Sequence, residues 1–227
     1  MSTFYIVATP IGNLKDFSAR AVEVLQSVDY IACEDTRTSG KLLTSYQINK
    51  PTFSFHLHNE HTKVAHLLNI LNASQNVALI SDAGMPGISD PGFLAVRAAI
   101  KEGHTITVIP GPDAATTALI ASGLPCDRYV FEGFLPHKKG RQKRLGQLAE
   151  EERTLIIYES PNRLLKLLGE LEIYFGPERL AAVARELTKT FEEIVRGSII
   201  EIKENFTARD SIKGEIVVVV AGKEYSE

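Results

Sequence analysis

Cysteine is nearly missing from this chain. Its 227 residues contain two, Cys33 and Cys126, and these are not in CxxC spacing. A disulfide framework is therefore excluded, a reducing compartment is expected, and both thiols read as structural rather than reactive. No apolar run approaches the roughly 18 residues a membrane span needs. The opening Phe4–Ala8 is too short, and lacks the basic lead, to be a signal peptide. Positive charge is not in excess either: 25 Lys and Arg against 28 Asp and Glu give a net charge of −3. Any attraction to nucleic acid must then come from a local patch. The GxxxxGKS/T phosphate loop, the GxGxxG fingerprint, the HExxH zinc spacing and the GxSxG nucleophile elbow do not occur. What is present is ordinary: 44% hydrophobic and 23% charged residues, which excludes disorder and collagen-like repeats and allows a core without staples.

Short apolar runs alternate with helix-length segments through the first half. Phe4–Ala8, Tyr30–Cys33, Thr52–Phe55, Val77–Ser81 and Thr105–Ile109 read as strands. Between them helices are expected after Ser18, from a cap near Thr38 or Ser39, over Asn59–Asn72, up to about Glu102, and from Asp113 to Ser122. Continuous apolar strands separated by helices argue for a mainly parallel sheet covered on both faces. Gly123-Leu124-Pro125 reads as a connector. Beyond it strands are expected at Tyr129–Gly133, Thr154–Tyr158, Leu180–Ala184, Phe191–Arg196 and Ile216–Ala221, with a basic helix after the first and a Ser160-Pro161 helix start after the second. The closer strand spacing implies a mixed sheet. The expected architecture is two α/β domains, residues 1–123 and 124–227.

The stretch Ser81-Asp82-Ala83-Gly84-Met85-Pro86-Gly87-Ile88-Ser89-Asp90-Pro91-Gly92 stands out. Its glycines and prolines can simply shape a strand–helix turn, or they can bring backbone close to a ligand at a strand's carboxyl end. Two further loops, Thr9–Leu14 and Pro110–Ala115, should fall on the same sheet edge, which favours a pocket. These loops offer carboxylates and backbone groups, with Lys15 the one nearby base, so a cationic or zwitterionic ligand suits them better than a phosphate.

His137-Lys138-Lys139-Gly140-Arg141-Gln142-Lys143-Arg144 carries five formal positive charges and no acid. It is either a solvated face balanced by Glu150-Glu151-Glu152 or a phosphate-contacting patch, and RNA is the reading favoured here. His56, His58 and His61 lack neighbouring cysteines and metal spacing, so no metal is expected. Glu159 and Glu186 follow predicted strands and could bond a ligand or cap adjacent turns.

The combination Thr9-Pro10-Ile11-Gly12-Asn13-Leu14, Cys33-Glu34-Asp35-Thr36-Arg37, His58-Asn59-Glu60, Ser81–Gly92, Pro110-Gly111-Pro112-Asp113-Ala114 and Glu132-Gly133-Phe134-Leu135-Pro136 resembles the ribosomal RNA small-subunit methyltransferase I family, which has the tetrapyrrole-methylase fold of class III methyltransferases. Tyr158–Arg163 and Ala184–Lys189 extend the resemblance to residues 3–222. It implies 2′-O-methylation of a cytidine in the decoding region of 16S rRNA on the small ribosomal subunit. It also implies S-adenosylmethionine as donor in a cleft between two domains, a homodimer, and a cytoplasmic location without membrane or DNA partners.

Carried over motif by motif, the resemblance gives cofactor contacts at Pro10, Ser81, Asp82, Ala83, Gly84, Ile88, Ser89, Ala114 and Ala115. In the second half it adds the backbone at Tyr158, Glu159, Leu187, Gly214 and Glu215. A neutral ribose hydroxyl must lose a proton during or after attack, and Glu186 and Lys189 are the candidates to manage it, with Asp35 a further one. Arg37, Lys138, Lys139, Arg141, Lys143 and Arg144 are the expected RNA contacts. Many members carry a further carboxy-terminal region beyond the equivalent of Glu227, which bears on RNA affinity rather than on fold. The competing readings are a tetrapyrrole C-methyltransferase, which the basic run and the TPIGNL loop disfavour, and a non-catalytic RNA-binding module.

Overall fold

A computed structural model describes residues 2–57 and 59–226. The chain divides into two compact units, Met1–Asp113 and Ala114–Glu227.

In the first unit β1 (Thr3–Val7), α1 (Ala19–Ser27), β2 (Tyr30–Cys33), α2 (Thr36–Ser45), β3 (Thr52–Ser54), α3 (Glu60–Asn72), β4 (Val77–Ile80), α4 (Phe93–Lys101) and β5 (Thr105–Ile109) follow one another. The strands form one sheet in the order β3-β2-β4-β1-β5, every pairing parallel. Side-chain alternation then splits the core. Ile31, Cys33, Ala78 and Ile80 pack with Leu25 of α1 and Leu43 of α2. Ala32, Val77 and Leu79 pack with Leu67 and Leu71 of α3 and with Ala95 and Ala99 of α4. A strand buried on both faces has no polar face to show, which is why β4 reads VALI without alternation. Cys33 lies in this core, and burial pushes its thiol up to about 11, consistent with an inert role. Cys126, expected to be structural, is exposed.

Two helix starts are informative. Ser18 caps α1, its side chain accepting from the Ala21 amide at 3.1 Å. At α2 the cap is Asp35, accepting from the Arg37 amide at 2.8 Å, rather than Thr38 or Ser39. The carboxylate sits at the first place after β2 where it can reach free amides.

The second unit runs α5 (Ala114–Ser122), β6 (Tyr129–Phe134), α6 (Arg141–Leu148), β7 (Thr154–Glu159), α7 (Leu164–Phe175), β8 (Leu180–Arg185), β9 (Glu193–Ser198), α8 (Ile199–Thr207) and β10 (Ile216–Val220). Its sheet order is β6-β7-β10-β8-β9, parallel only between β6 and β7. Leu155, Ile157, Val183 and Val218 pack against Leu164, Leu168, Ile199, Ile202 and Phe206. The expected division at Gly123 differs from the compact units because α5 packs on β8, β9 and β10.

Three more expectations change in detail. Pro161 opens a short 3-10 turn, Pro161–Arg163, and α7 starts only at Leu164. β9 begins at Glu193, since a turn in which Lys189 and Glu192 amides reach back to Glu186 and Lys189 carbonyls occupies Phe191. Finally α8 was not expected at all. A capping box starts it: Ser198 accepts from the Glu201 amide, and the Glu201 carboxylate accepts from the Ser198 amide at 2.8 Å.

Candidate active-site residues

An all-parallel sheet puts every strand's carboxyl end on one edge, so the loops after β1, β2, β4 and β5 share a rim in the first unit. Thr9 and Gly84 form a two-way backbone bridge: the Thr9 amide donates to the Gly84 carbonyl at 2.9 Å, and the Gly84 amide donates back at 3.1 Å. Thr9 Oγ1 donates to the Ser81 carbonyl at 3.1 Å, and Ser81 Oγ to the Gly84 carbonyl at 3.2 Å. The 81–84 segment is thus fixed against the end of β1. Pro10 is half-buried beside it, and Ile88 and Ser89 are exposed. Gly111 closes the same rim, since a Cβ there would stand 2.9 Å from the Ala8 Cβ.

Glu60 is the loop-fastening residue the chemistry of the sequence did not single out, although it belongs to the His58-Asn59-Glu60 motif. It is 7% exposed, and its Oε1 accepts from the Gly92 and Leu94 amides at 3.1 and 3.2 Å. The first residue of α3 therefore ties down the end of the long loop and satisfies the start of α4. His58 lies outside the described residues, and no metal-binding group of His, Cys, Asp or Glu occurs among those described.

The rim collects carboxyl groups. The Asp82 amide donates to Glu34 Oε2 at 3.3 Å, and the Asp35 amide donates to Asp82 Oδ1 at 3.2 Å. Burial, reinforced by the Glu34 charge, pushes the Asp90 carboxyl up to about 7. Glu34 and Asp82 are also raised, chiefly by burial. Asp35 goes the other way, to about 2, because Arg37 bonds it through side chain and backbone. Arg37 keeps 89% of its side-chain exposure. An anionic rim with its backbone pinned is suited to a cationic group.

In the second unit the structure brings Glu186, Lys189, Gly214 and Glu215 together. Lys189 Nζ lies 2.7 Å from Glu186 Oε1 and 2.9 Å from Glu215 Oε2. The Glu215 amide donates to Glu186 Oε1 at 2.9 Å, and the Glu186 amide to the Glu215 carbonyl at 2.9 Å. The Lys189 bond and the Glu215 amide hold the Glu186 carboxyl below its ordinary value. Burial pulls the Lys189 ammonium down, but its bonds to Glu186 and Glu215 outweigh this and leave it raised. The pair is therefore a carboxylate held beside a cation at neutral pH. Leu187 between them is buried. Tyr158 packs edge-on against Phe131 and Phe134, with centroids 5.0 and 5.6 Å away. Ala115 is buried in α5 and Ala114 opens that helix.

The basic run is divided by its partners. Arg141 departs from the expected RNA contact: its side chain is 4% exposed and binds Glu170 at 2.7 Å. It occupies the core-facing side of α6, where a cation needs a carboxylate. Arg144 is 40% exposed and binds Glu132, the residue passed over by the β6 bulge, at 2.5 Å. Lys138, Lys139 and Lys143 are exposed, with no ion pair among the described residues. Glu159 is fully buried between Arg141 and Arg163, so its side chain is committed and only its backbone is open to a ligand.

Residues 3–203 match the family model for tetrapyrrole (corrin/porphyrin) methylases. The chain is 52% identical over 223 residues to the ribosomal RNA small subunit methyltransferase I of Synechocystis, covering 98% of this chain and 80% of that protein. It is 49% identical over 228 residues to the protein of the same name in Escherichia coli O157:H7, covering 98% and 79%. Among solved structures it is similar to the methyltransferase CobJ, with a TM-score of 0.74 at 17% identity over 100% of this chain and 97% of that one. Uroporphyrin-III-C-methyltransferase from Thermus thermophilus aligns with a TM-score of 0.68 at 21% identity over 98% and 95%. These two likenesses bear on fold alone. The chain belongs to the tetrapyrrole methylase family and, within it, to the ribosomal RNA small subunit methyltransferases I.

Proposed function

We propose that this protein methylates the 2′-hydroxyl of a cytidine ribose in the decoding region of 16S rRNA, on the small ribosomal subunit, with S-adenosylmethionine as donor. The observation that carries this reading is identity near 50% with ribosomal RNA small subunit methyltransferases I over 98% of the chain. The rim chemistry fits the donor: burial and mutual repulsion raise the Glu34, Asp82 and Asp90 carboxyls, and a sulfonium or ammonium placed beside them favours their charged forms. The residues proposed to hold it are Pro10, Ser81–Gly84, Ile88 and Ser89 from the first unit. From the second come Ala114, Ala115 and the backbone of Tyr158, Glu159, Leu187, Gly214 and Glu215. When bound, S-adenosylmethionine supplies a methyl on positively charged sulfur, which leaves with a neutral thioether behind it.

The chain's own task is alignment and proton management. Orientation can contribute about 7–11 kcal/mol, and the pinned 81–84 backbone provides fixed contacts for it. Glu186 accepts the hydroxyl proton as the oxygen attacks, and Lys189 steadies the negative charge that develops beside it. Lys138, Lys139 and Lys143 contact RNA phosphates, and Arg37 orients the substrate. The protein acts as a homodimer in the cytoplasm; no described helix is long and apolar enough to cross a membrane.

The test is transfer of labelled methyl into undermodified small subunits, followed by mapping of the modified nucleotide. A single methylated cytidine ribose is expected. Label entering uroporphyrinogen and not the subunit overturns the reading. At saturating donor, Glu186→Gln and Lys189→Ala should each lower turnover about 10²-fold or more, and wild-type rates in both remove these two roles.

A further inference from the structure

A buried ion-pair chain runs beneath the basic loop, and methyl transfer makes no obvious use of it. Glu159 ends β7 with its side chain fully buried, and its Oε1 accepts from the Ser160 amide at 2.8 Å and from Arg163 Nε at 2.7 Å. Its Oε2 lies 3.6 Å from Arg141 Nη2. Arg141 donates from Nε and Nη2 to Glu170 at 2.8 and 2.7 Å, and from Nη1 to the Pro136 carbonyl at 3.2 Å. Arg163 reaches the other way, its Nη1 within 2.6 and 2.9 Å of the two His137 ring nitrogens. Glu159 thus anchors Arg163 and lies beside Arg141, which Glu170 holds, and each guanidinium reaches one residue of the same loop.

The span between the gripped residues is short. After His137 come Lys138, Lys139 and Gly140, and Gly140 at φ +84° turns the chain into α6. Lys138 and Lys139 are exposed and have no ion pair among the described residues, while both arginines nearest them in α6 are neutralised by carboxylates. Adjacent like charges on a slack loop would spread apart in water. Held at 136 and 137, they are presented at a fixed place, and ordering them is not left to the moment of binding.

We infer that Arg163 is a positioning residue for RNA: by joining buried Glu159 to His137 it holds the 136–140 loop so that Lys138 and Lys139 meet phosphates of the substrate. This rests on the RNA reading above. Arg163 touches no reacting atom; it acts through the loop.

The experiment uses the full chain with purified undermodified small subunits. Arg163→Lys keeps a cation four residues after Glu159 but lacks the planar fork needed to reach His137 as well. It should raise KM for the subunit about three- to tenfold, with kcat, donor affinity and melting temperature as in wild type. His137→Ala, which leaves every buried ion pair intact, should do the same. In a Lys138→Ala/Lys139→Ala background, neither change should raise KM further. Wild-type KM in both single variants overturns the inference, and so does an undiminished effect in the double-alanine background. Wild-type methylation of the subunit, measured first, separates this from failure of the RNA reading, since without it no KM exists to compare.

Discussion

A methyl group at position 214 would lie 2.4 Å from Glu186 Cγ, and the backbone there has φ +94°. Both facts demand glycine. Gly214→Ala should destabilise the protein by about 2 kcal/mol or more, read as a lower urea midpoint, and should displace Glu186 from Lys189 and Glu215. Asp90 makes a second prediction. Its carboxyl titrates at about 7 in the fold against an ordinary 3.8. Between those values the folded chain binds a proton that the unfolded chain does not, so this group's contribution to stability falls as pH rises from about 4 to 7. Asp90→Asn should therefore raise the melting temperature more at pH 8 than at pH 5; an equal change at both would contradict the shift. Single residues were legible where local chemistry is self-contained, as with Ser18 and the glycine-rich loop. They were not where a partner comes from far along the chain. Glu60 bonds Gly92, and Arg141 bonds Glu170, and no local pattern announces either pair.

Elements tell a similar story with a different cause. The inner strands of the first sheet, β4 above all, were readable because burial on both faces leaves unbroken apolar runs. The helix α8 was hidden by the strand that runs directly into it, although Ser198 and Glu201 stand at capping-box spacing and Ile199, Ile202 and Phe206 at helical spacing. Ser198→Ala should cost about 1 kcal/mol in a denaturant titration, and an unchanged midpoint would show that the box contributes nothing. The run 137–144 is the reverse case. As sequence it is one basic block. As structure it is a loop bearing two exposed lysines followed by a helix that turns Arg141 inward and offers Lys143 outward.

At the scale of the whole molecule, a net charge of −3 repels RNA weakly everywhere except where unpaired cations cluster. Replacing Lys138, Lys139 and Lys143 together by alanine should flatten the logarithmic salt dependence of subunit binding by about 2, at roughly 0.7–0.9 per phosphate contact, and leave donor affinity unchanged. The two α/β units and the kinds of sheet they hold were legible from strand spacing, while the assignment of α5 was not. That helix is amphipathic to neither side in sequence, and only its packing on β8, β9 and β10 decides it.

The position of β10 has a consequence for how the second unit comes into being. Its five residues, Ile216–Val220, are all buried, and they alone join the ribbon β6–β7 to the ribbon β8–β9. Neither ribbon is a stable object by itself, since two strands in isolation are marginal in water. The unit's other four strands and its four helices must therefore wait, emerged but unzipped, for a valine-rich segment that the ribosome delivers after all of them.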